Sequence, residues 1–249
     1  MVSFRMPKMV KWEYKRFLFS TKYMLVIIVP YRATTQPERK QQLVNLIYGL
    51  SLQLPSAYIY IIEQYDDQPF NRGALLNIGV KIAGLTDNDV ICFHDVDLLP
   101  HPDIVHEYTR PLSENTVRHV GRAWKRYDTN TYLGGILMIR VGDFMKINGY
   151  PNDFWGWGGE DDELRDRIND HGMHIQRSTG TIIDQENLTL SEKMIQLKKT
   201  KQKCPDKWER RAWHRKHPGA FGLAQVSERI ISNGSAYGER CIHYKVVIQ

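Results

Sequence analysis

Short apolar runs alternate with amphipathic stretches in the first hundred residues of the chain. Residues 24–29, 57–62 and 90–93 are apolar runs of strand length, which predicts buried strands there. Residues 37–54 carry leucine and isoleucine at the spacing i, i+3, i+4 and i+7, which predicts an amphipathic helix, and residues 71–83 also have a helical pattern. This alternation predicts right-handed crossovers and an α/β fold with a central, mostly parallel sheet flanked by helices.

The pattern of the second half is less regular. Residues 132–139 predict a further strand that includes a pair of glycines, and residues 148–159 are rich in Gly, Asn, Trp and Phe, which favours an irregular loop. Residues 160–170 predict a helix whose first turn carries four acidic side chains. Residues 185–217 are polar and basic, and we expect helix fragments and a mobile lid there.

Composition and charge are those of a folded protein with two basic segments. The 249 residues, 42% of them hydrophobic, fit a single domain, which we place at residues 24–249. The net charge of +6 is concentrated in residues 193–217 and in a basic, aromatic N-terminal segment, residues 1–23. Such segments suit phosphate groups, an anionic membrane surface or nucleic acid, or are solvated helix faces. Since no nucleic-acid recognition motif accompanies them, we expect no nucleic-acid partner, whereas residues 1–23 could contact a membrane peripherally.

Membrane-spanning and disulfide-rich classes are excluded by the same sequence. No apolar run approaches the roughly 20 residues of a spanning helix, and the N-terminus lacks the apolar core and cleavage site of a secretory signal. Three cysteines are too few for a dense disulfide framework. We therefore expect a reducing, cytoplasmic compartment.

A pair of carboxylates, Asp95 and Asp97, directly follows the third predicted strand. In an extended backbone the two side chains point the same way, and in a parallel sheet ligands bind beyond the carboxyl ends of the strands. Two like charges held together favour a hard divalent cation with oxygen ligands, Mg²⁺ or Mn²⁺, that leaves positions open for phosphate. The alternative is that one aspartate caps the next helix while the other is solvated.

The stretch from Phe154 to Glu163 combines two tryptophans, three glycines and four consecutive acids. Glycine lets a ligand approach the main chain, and an exposed tryptophan face suits the apolar face of a sugar ring. The helix macrodipole favours two or three acids at a helix N-terminus. It does not explain why a loop rich in Trp and Gly directly precedes them and brings them together in one place. One of these carboxylates could act as a general base on a hydroxyl group, with a pKa raised by desolvation.

Six motifs stand in order along the chain: Val29-Pro30-Tyr31-Arg32, Phe70-Asn71-Arg72 with Leu76-Asn77, His94-Asp95-Val96-Asp97, Tyr132-Leu133-Gly134-Gly135, Asn148-Gly149-Tyr150, and Trp155 to Asp162. Together they resemble the motifs of the β-1,4-galactosyltransferases, which are inverting, metal-dependent sugar transferases with the GT-A (nucleotide-diphospho-sugar transferase) fold. Their detail is most similar to the branch that galactosylates xylose on proteoglycan linkers.

The resemblance implies transfer of galactose from UDP-galactose, with inversion, to the 4-hydroxyl of xylose, glucose or N-acetylglucosamine. It implies Asp161 and Glu160 as catalytic residues, with Asp161 as the general base. It also implies that Tyr132 favours galactose over N-acetylgalactosamine. The alternatives are a non-catalytic nucleotide-sugar or carbohydrate-binding protein on the same fold, and a transferase with another donor such as UDP-N-acetylgalactosamine.

The resemblance also implies two sets of binding residues, which share Trp157. The implied donor-binding residues are Pro30, Tyr31, Arg32, Phe70, Asn71, Arg72, Asp95, Val96, Tyr132 and Trp157. The implied acceptor-binding residues are Gly134, Gly135, Trp157, Gly158, Gly159, Asp161 and Asp162.

The implied metal site departs from the family pattern. Asp97 would bind Mn²⁺, or Mg²⁺, directly, whereas the family takes further ligands, usually including His, from the strand after the catalytic helix. Residues 182–187 contain no His, but Asp184 and Glu186 keep the i, i+2 spacing, and His214 could fold back instead. The protein could also hold its metal through Asp97 and the diphosphate alone.

The resemblance bears on the compartment as well. Animal members of the family are Golgi proteins with a membrane anchor and disulfides, and this sequence shows neither. The Golgi lumen is therefore the alternative to the cytoplasm, if the natural chain has an upstream anchor.

Overall fold

A computed structural model describes residues 23–33, 37–127, 129–235 and 237–249 of the protein. The basic N-terminal segment, apart from Tyr23, lies outside the described residues, so its membrane contact stays a prediction. Among the described residues, no helix has both the length and the apolarity needed to cross a bilayer.

The strands and helices, in chain order, are β1 (Leu25–Tyr31), α1 (Pro37–Gln53), β2 (Tyr58–Gln64), α2 (Arg72–Ala83), β3 (Val90–His94), β4 (Leu98–Pro100), α3 (His106–Thr109), β5 (Thr116–His119), β6 (Ile136–Arg140), α4 (Val141–Lys146), α5 (Glu160–Asp170), β7 (His174–Arg177), β8 (Ile182–Asp184), α6 (Leu190–Lys199), α7 (Lys207–His214), β9 (Glu228–Ser235) and β10 (Cys241–Ile248).

Eight strands form one sheet in the order β7-β5-β6-β3-β1-β2-β10-β9. Within the described ranges, four of its seven neighbouring pairs are parallel, and they include the whole central block β3-β1-β2-β10. The antiparallel pairs flank this block on both sides, at β6 and at β9. The predicted α/β fold with a mostly parallel central sheet is confirmed.

The central strands are buried because helices cover both faces of the sheet. One apolar core contains side chains of α2 and the opposite core contains side chains of α1. The side chain of Asn71 caps α2 by accepting a hydrogen bond from the N–H of Ala74. A Cβ at Gly79, in the middle of α2, would lie 2.5 Å from Cγ2 of Ile28 in β1. This glycine therefore permits the close approach of helix and sheet.

The sheet brings the loops of the candidate site to one edge. β1, β2 and β3 are parallel, so their carboxyl ends meet there. A separate two-stranded ribbon pairs Leu98 of β4 with Asp184 of β8. The N–H of Gln185 then donates to the carbonyl oxygen of Asp97 at 2.8 Å. The ribbon, which the sequence did not predict, lays β8 and the residues after it beside the turn that follows β3.

The start of β6 differs from the sequence-based expectation, whereas the helix fragments expected in the basic tract are present. β6 begins at Ile136, later than predicted, because the preceding residues form a loop in which one glycine has φ of 80°. The basic tract forms α6 and α7, and the segment between these helices is hydrogen-bonded to the Trp–Gly loop. The N–H of Trp157 donates to the Gln202 carbonyl oxygen at 2.6 Å, and the N–H of Cys204 donates to the Trp157 carbonyl oxygen at 3.1 Å. Motion of this tract as a lid stays a prediction.

Candidate active site

The two aspartates of the predicted pair enter separate networks, because the chain turns directly after β3. Residues 95–97 leave the strand and enter a turn instead of continuing as extended backbone. Asp95 faces Arg72, with 2.7 Å between Oδ1 and Nε, whereas Asp97 faces Arg39, with 3.7 Å between Oδ2 and Nη1. The extended geometry assumed from the sequence is therefore corrected: each carboxylate has its own arginine.

Arg72 joins Asp95 to the first turn of α5. Its Nη1 lies 2.8 Å from Oδ1 of Asp161 and 3.8 Å from Oε1 of Glu160. Burial opposes the charged form, but Asp161 and Asp95 together raise the pKa of Arg72 well above its ordinary value. One cation thus serves three carboxylates. We call these four residues, Arg72, Asp95, Glu160 and Asp161, the Arg72 centre.

The two carboxyl groups at the start of α5 differ in pKa. Burial raises the pKa of Asp161 to about 6, although Arg72 opposes the shift. Burial and the neighbouring Asp161 raise the pKa of Glu160 further, to about 8. Oε2 of Glu160 is buried and has no hydrogen-bond partner in the described part of the chain. At neutral pH the pair therefore offers one carboxylate that can accept a proton and one carboxyl group that can donate a hydrogen bond.

Gly134, in the glycine pair ahead of β6, makes room for the carboxylate of Asp161. A Cβ at Gly134 would collide with Oδ2 of Asp161 and would lie 2.7 Å from the hydroxyl oxygen of Tyr132. Tyr132 stacks on Tyr127, with the ring centroids 4.4 Å apart. Burial and the nearby Asp161 raise the pKa of Tyr132 well above its ordinary value, so the phenol is neutral. A neutral aromatic side chain thus lies beside the Asp161 carboxylate.

The Trp–Gly loop, residues 154–159, reaches α5 through strained backbone positions. Three of its glycines have φ between 96° and 108°, a region that other residues avoid. A Cβ at Gly156 would lie 2.8 Å from the Gln202 carbonyl oxygen. Trp155 and Trp157 are half-buried, so part of each indole faces solvent. Contact of these indoles with a sugar stays a prediction.

The candidate nucleotide side lies at the carboxyl ends of β1 and β2. Nη2 of Arg32 donates to the Gln68 carbonyl oxygen at 2.6 Å, and the guanidinium lies 5.8 Å from the centre of the Phe70 ring. Both side chains are partly exposed. Asn71 is fully buried, and its amide donates to the Asn152 carbonyl oxygen at 2.6 Å in addition to capping α2. Its role in this structure is to hold the loop before α2.

The predicted donor- and acceptor-binding residues fall into two groups, those that are buried and those with exposed surface. A ligand can reach the buried ones only through the main chain or after a rearrangement. The buried ones are Pro30, Tyr31, Asn71, Val96, Gly134, Gly135 and Gly159. Those with exposed surface are Arg32, Phe70, Arg72, Asp95, Tyr132, Trp157, Gly158, Asp161 and Asp162.

The four predicted metal ligands lie in two different places. The β4–β8 ribbon brings Asp184 and Glu186 beside Asp97. His214 lies on α7, where its Nε2 is 2.9 Å from Oδ1 of Asp153 and its ring stacks on Phe154. The expectation that His214 folds back onto Asp97 is therefore replaced by a contact with the Trp–Gly loop.

Asp97 fits a divalent cation. Its side chain is 12% exposed, and burial together with Glu186 raises its pKa to about 6, so a cation would stabilise the ionised form. A carboxylate oxygen is a ligand that Mn²⁺ and Mg²⁺ prefer.

Asp184 and Glu186 do not fit, because cationic side chains already occupy both carboxylates. Oδ2 of Asp184 lies 2.6 Å from Nη2 of Arg126, and the two oxygens of Glu186 lie 2.6 and 2.8 Å from Nζ of Lys193. Across the described ranges, no three His, Cys, Asp or Glu side chains are grouped to hold a metal ion. The i, i+2 acids therefore do not replace the missing histidine as ligands in this conformation.

Sequence reasoning missed the cations of this region. Arg39 lies on α1, Arg126 lies in a 3₁₀ turn and Lys193 lies on α6, and all three contact Glu186. No local motif marks Arg39 or Arg126, because their partners are remote in sequence. Lys193 begins the basic tract 193–217, which was the one available signal.

Two family models match the chain in succession. The model described as the N-terminal region of glycosyl transferase group 7 matches residues 12–109. The model described as the N-terminal domain of galactosyltransferase matches residues 117–189. Together the two matches include every residue of the Arg72 centre.

Curated relatives point the same way. The chain is 32% identical to β-1,4-galactosyltransferase 7 of Drosophila melanogaster over 84% of this chain and 64% of that protein. It is 34% identical to xylosylprotein 4-β-galactosyltransferase of Caenorhabditis elegans over 69% of this chain and 59% of that protein. The chain spans about half the length of the curated relatives that it matches.

Solved structures agree with the sequence matches. A mutant of the Drosophila β-1,4-galactosyltransferase 7, in complex with manganese, UDP-Gal and xylobiose, superposes with a TM-score of 0.74 at 27% identity, over 91% of this chain and 94% of that chain. A mannosyltransferase from Pyrobaculum calidifontis, in complex with GDP-Man and Mn²⁺, has a TM-score of 0.51 at 10% identity, over 73% of this chain and 62% of that chain, and shows likeness of fold alone. The fold is the GT-A fold, and the chain belongs to the β-1,4-galactosyltransferase family.

Proposed function

We propose that the protein transfers galactose from UDP-galactose to the 4-hydroxyl of a xylose-bearing acceptor, with inversion at the anomeric carbon. The observation that carries the proposal is the position of Asp161. Its partly exposed carboxylate is held 2.8 Å from Arg72 and packs against Gly134, where a Cβ would collide with it. The donor and the acceptor are suggested by the Drosophila relative, whose structure contains UDP-Gal and xylobiose.

Asp161 is the general base of the proposed reaction. It accepts the proton of the acceptor hydroxyl while the hydroxyl oxygen attacks the anomeric carbon from the face opposite UDP, so a single displacement inverts the configuration. Arg72 keeps this carboxylate ionised near neutral pH, because it opposes the rise in pKa that burial causes. In the proposed reaction Glu160, with its raised pKa and its unpaired Oε2, donates a hydrogen bond to a sugar hydroxyl after a rearrangement that exposes its carboxyl group, which is buried in this structure.

The donor side is assigned to the carboxyl ends of β1, β2 and β3. The partly exposed Arg32 and Phe70 would contact the nucleotide base, and Asp97 would hold the divalent cation. When bound there, Mn²⁺ or Mg²⁺ supplies positive charge to the departing UDP. The neutral phenol of Tyr132 restricts the space beside Asp161 and so favours galactose over the bulkier N-acetylgalactosamine.

Release of UDP from UDP-galactose tests the proposal, measured with Mn²⁺ and with β-xyloside, β-glucoside and β-N-acetylglucosaminide acceptors. We expect release that depends on the β-xyloside and that falls about 100- to 10,000-fold in Asp161→Asn. Asp170→Asn, at the exposed other end of α5, is the matched control and should keep wild-type turnover. UDP binding without release from any acceptor would instead favour a non-catalytic binding protein. Preferential use of UDP-N-acetylgalactosamine would overturn the donor assignment.

We infer a reducing compartment for the protein. Cys92, Cys204 and Cys241 are buried free thiols, so the fold contains no disulfide that would need an oxidising compartment to form. Labelling of thiols in protein denatured directly from its host cells tests this: three labelled cysteines are expected, and fewer would favour an oxidising compartment such as the Golgi lumen.

A further inference from the structure

Among the side chains that the structure describes around Asp97, positive and negative charges are equal in number. Three carboxylates face three cationic side chains at ion-pair distances between 2.6 and 3.7 Å. We call this group the metal corner. Its members are Asp97, Asp184, Glu186, Arg39, Arg126 and Lys193.

Glu186 anchors the cations of the metal corner. Besides its two contacts with Lys193, it accepts hydrogen bonds from Nη1 of Arg126 at 2.8 Å and from Nη2 of Arg39 at 3.2 Å. A carboxylate with this many donors holds arginine in place and has no free oxygen for a metal.

Asp97 is the loosely held partner of Arg39. The 3.7 Å between Nη1 of Arg39 and Oδ2 of Asp97 is too long for a hydrogen bond, whereas Nη2 is hydrogen-bonded to Glu186. The Arg39 side chain is 27% exposed, so part of it faces solvent. The first turns of α1 are held beside the corner by Gln185, which donates to the carbonyl oxygens of Gln42 at 3.3 Å and Val96 at 3.1 Å. Arg39 can therefore change partners while its helix stays in place.

We propose that Arg39 is the counter-ion of Asp97 in the nucleotide-free protein, and that its Nη1 passes to the diphosphate of UDP when a divalent cation replaces it on Asp97. This inference rests on the proposed function, since it takes UDP as the nucleotide. A divalent cation alone would add two positive charges to a neutral cluster and would have to displace a guanidinium, which is unfavourable. UDP brings the compensating negative charge, so cation and nucleotide bind with positive coupling.

Mn²⁺ binding to the full chain, followed by the electron paramagnetic resonance signal of free Mn²⁺, tests this exchange. We expect the wild-type protein to bind Mn²⁺ about 10-fold more tightly with saturating UDP than without it. We expect Arg39→Gln to bind Mn²⁺ alone about 10-fold more tightly than wild type, because the competing guanidinium is gone. The same variant should bind UDP about 10-fold more weakly in the presence of Mn²⁺, because a charged hydrogen bond to the diphosphate is lost. A purely structural role for Arg39 would weaken both affinities.

Two further variants control for charge and for folding. Lys40→Gln removes one positive charge from the exposed neighbouring residue of α1 and should leave both affinities at the wild-type level. Arg39→Lys keeps the cation and should return the affinity for Mn²⁺ alone toward the wild-type value. An unchanged or weaker affinity of Arg39→Gln for Mn²⁺ alone would overturn the inference.

The inference and the proposed function fail separately. Opposite shifts in Arg39→Gln without any galactose transfer by the wild-type protein would leave the inference standing and refute the proposed function. Suppose instead that the wild type transfers galactose, but that Arg39→Gln does not bind Mn²⁺ alone more tightly and UDP more weakly. That result would refute the inference and leave the proposed function standing.

Discussion

The Arg72 centre and the metal corner contain the same kinds of side chain at the same edge of the sheet, but their charge balance differs. The Arg72 centre has one cation for three carboxylates, whereas the metal corner has three cations for three carboxylates. In the first, the shortage of cations and the burial raise the pKa of Asp161 and of Glu160. In the second, the surrounding cations lower the pKa of Glu186.

This difference separates proton transfer from ion binding. A cluster with excess carboxylate keeps one group whose proton is easily gained or lost, which is what a general base requires. A balanced cluster keeps its carboxylates ionised and can exchange one cation for another. Asp97 lies between the two cases, because its one cation is 3.7 Å away and its pKa is raised.

The largest effect that would sharpen this comparison is expected for Arg72→Gln. Without its cation, Asp161 should lose both its orientation and part of its ionisation, and we expect kcat to fall by about 100-fold. Because Arg72 lowers the pKa of Asp161, the acid limb of the kcat–pH profile should also move to higher pH. Arg165→Gln on the same helix as Asp161, where the arginine pairs with Asp162, is the control and should leave the limb in place. If the acid limb does not move in Arg72→Gln, Arg72 does not lower the pKa of Asp161.

A second effect, on stability and not on turnover, is expected for Glu186→Gln in the metal corner. Removing the anchor leaves buried Arg126 and Lys193 with too little negative charge, so the free energy of unfolding should fall by about 3 kcal/mol. Urea denaturation measures the change, and Glu209→Gln on the exposed surface of α7 should cost less than about 0.5 kcal/mol. Equal losses in the two variants would mean that the metal corner is not a tightly paired cluster.

The smallest effect is the pH dependence of the unmodified protein. Since Asp161 must be ionised to accept a proton and its pKa is raised to about 6, kcat should fall about 10-fold for each pH unit below that value and level off above it. Saturating donor and Mn²⁺ keep ionisation of Asp97 out of the measurement. The residual activity of Asp161→Asn should lack this limb, and a limb that persists in the variant would assign the titration to another group.

The central strands were predictable because strands buried on both faces must be apolar throughout. β1, β2 and β3 accordingly lie within about two residues of their predicted bounds. β10 was not predicted, although it pairs with β2 in the middle of the sheet. Its sequence, Cys241–Ile248, mixes apolar and charged residues, and its partner strand is remote in the chain. Local pattern carries no information about that pairing.

The candidate site shows the same division. Asp95, Asp97, Glu160 and Asp161 were singled out by their positions after a buried strand and a Trp–Gly loop. The pairing of these acids with cations was not predicted: Arg72 was named only as a donor-binding residue, and Arg39, which lies 147 residues from Glu186, was not named at all. The spacing of Asp184 and Glu186 suggested metal ligands, whereas the structure pairs both with Arg126.

The sequence by itself determined the α/β fold, the acids at the carboxyl end of β3 and at the start of α5, and the resemblance to a family of transferases. These follow from burial and helix periodicity, which act over a few neighbouring residues, and from short motifs. Only the tertiary structure decided which carboxylate meets which cation, and therefore which acid keeps a raised pKa and which becomes an anchor. The physical reason is that ion pairing depends on distances of a few ångströms between loops, and the sheet and the β4–β8 ribbon, not the local sequence, set those distances.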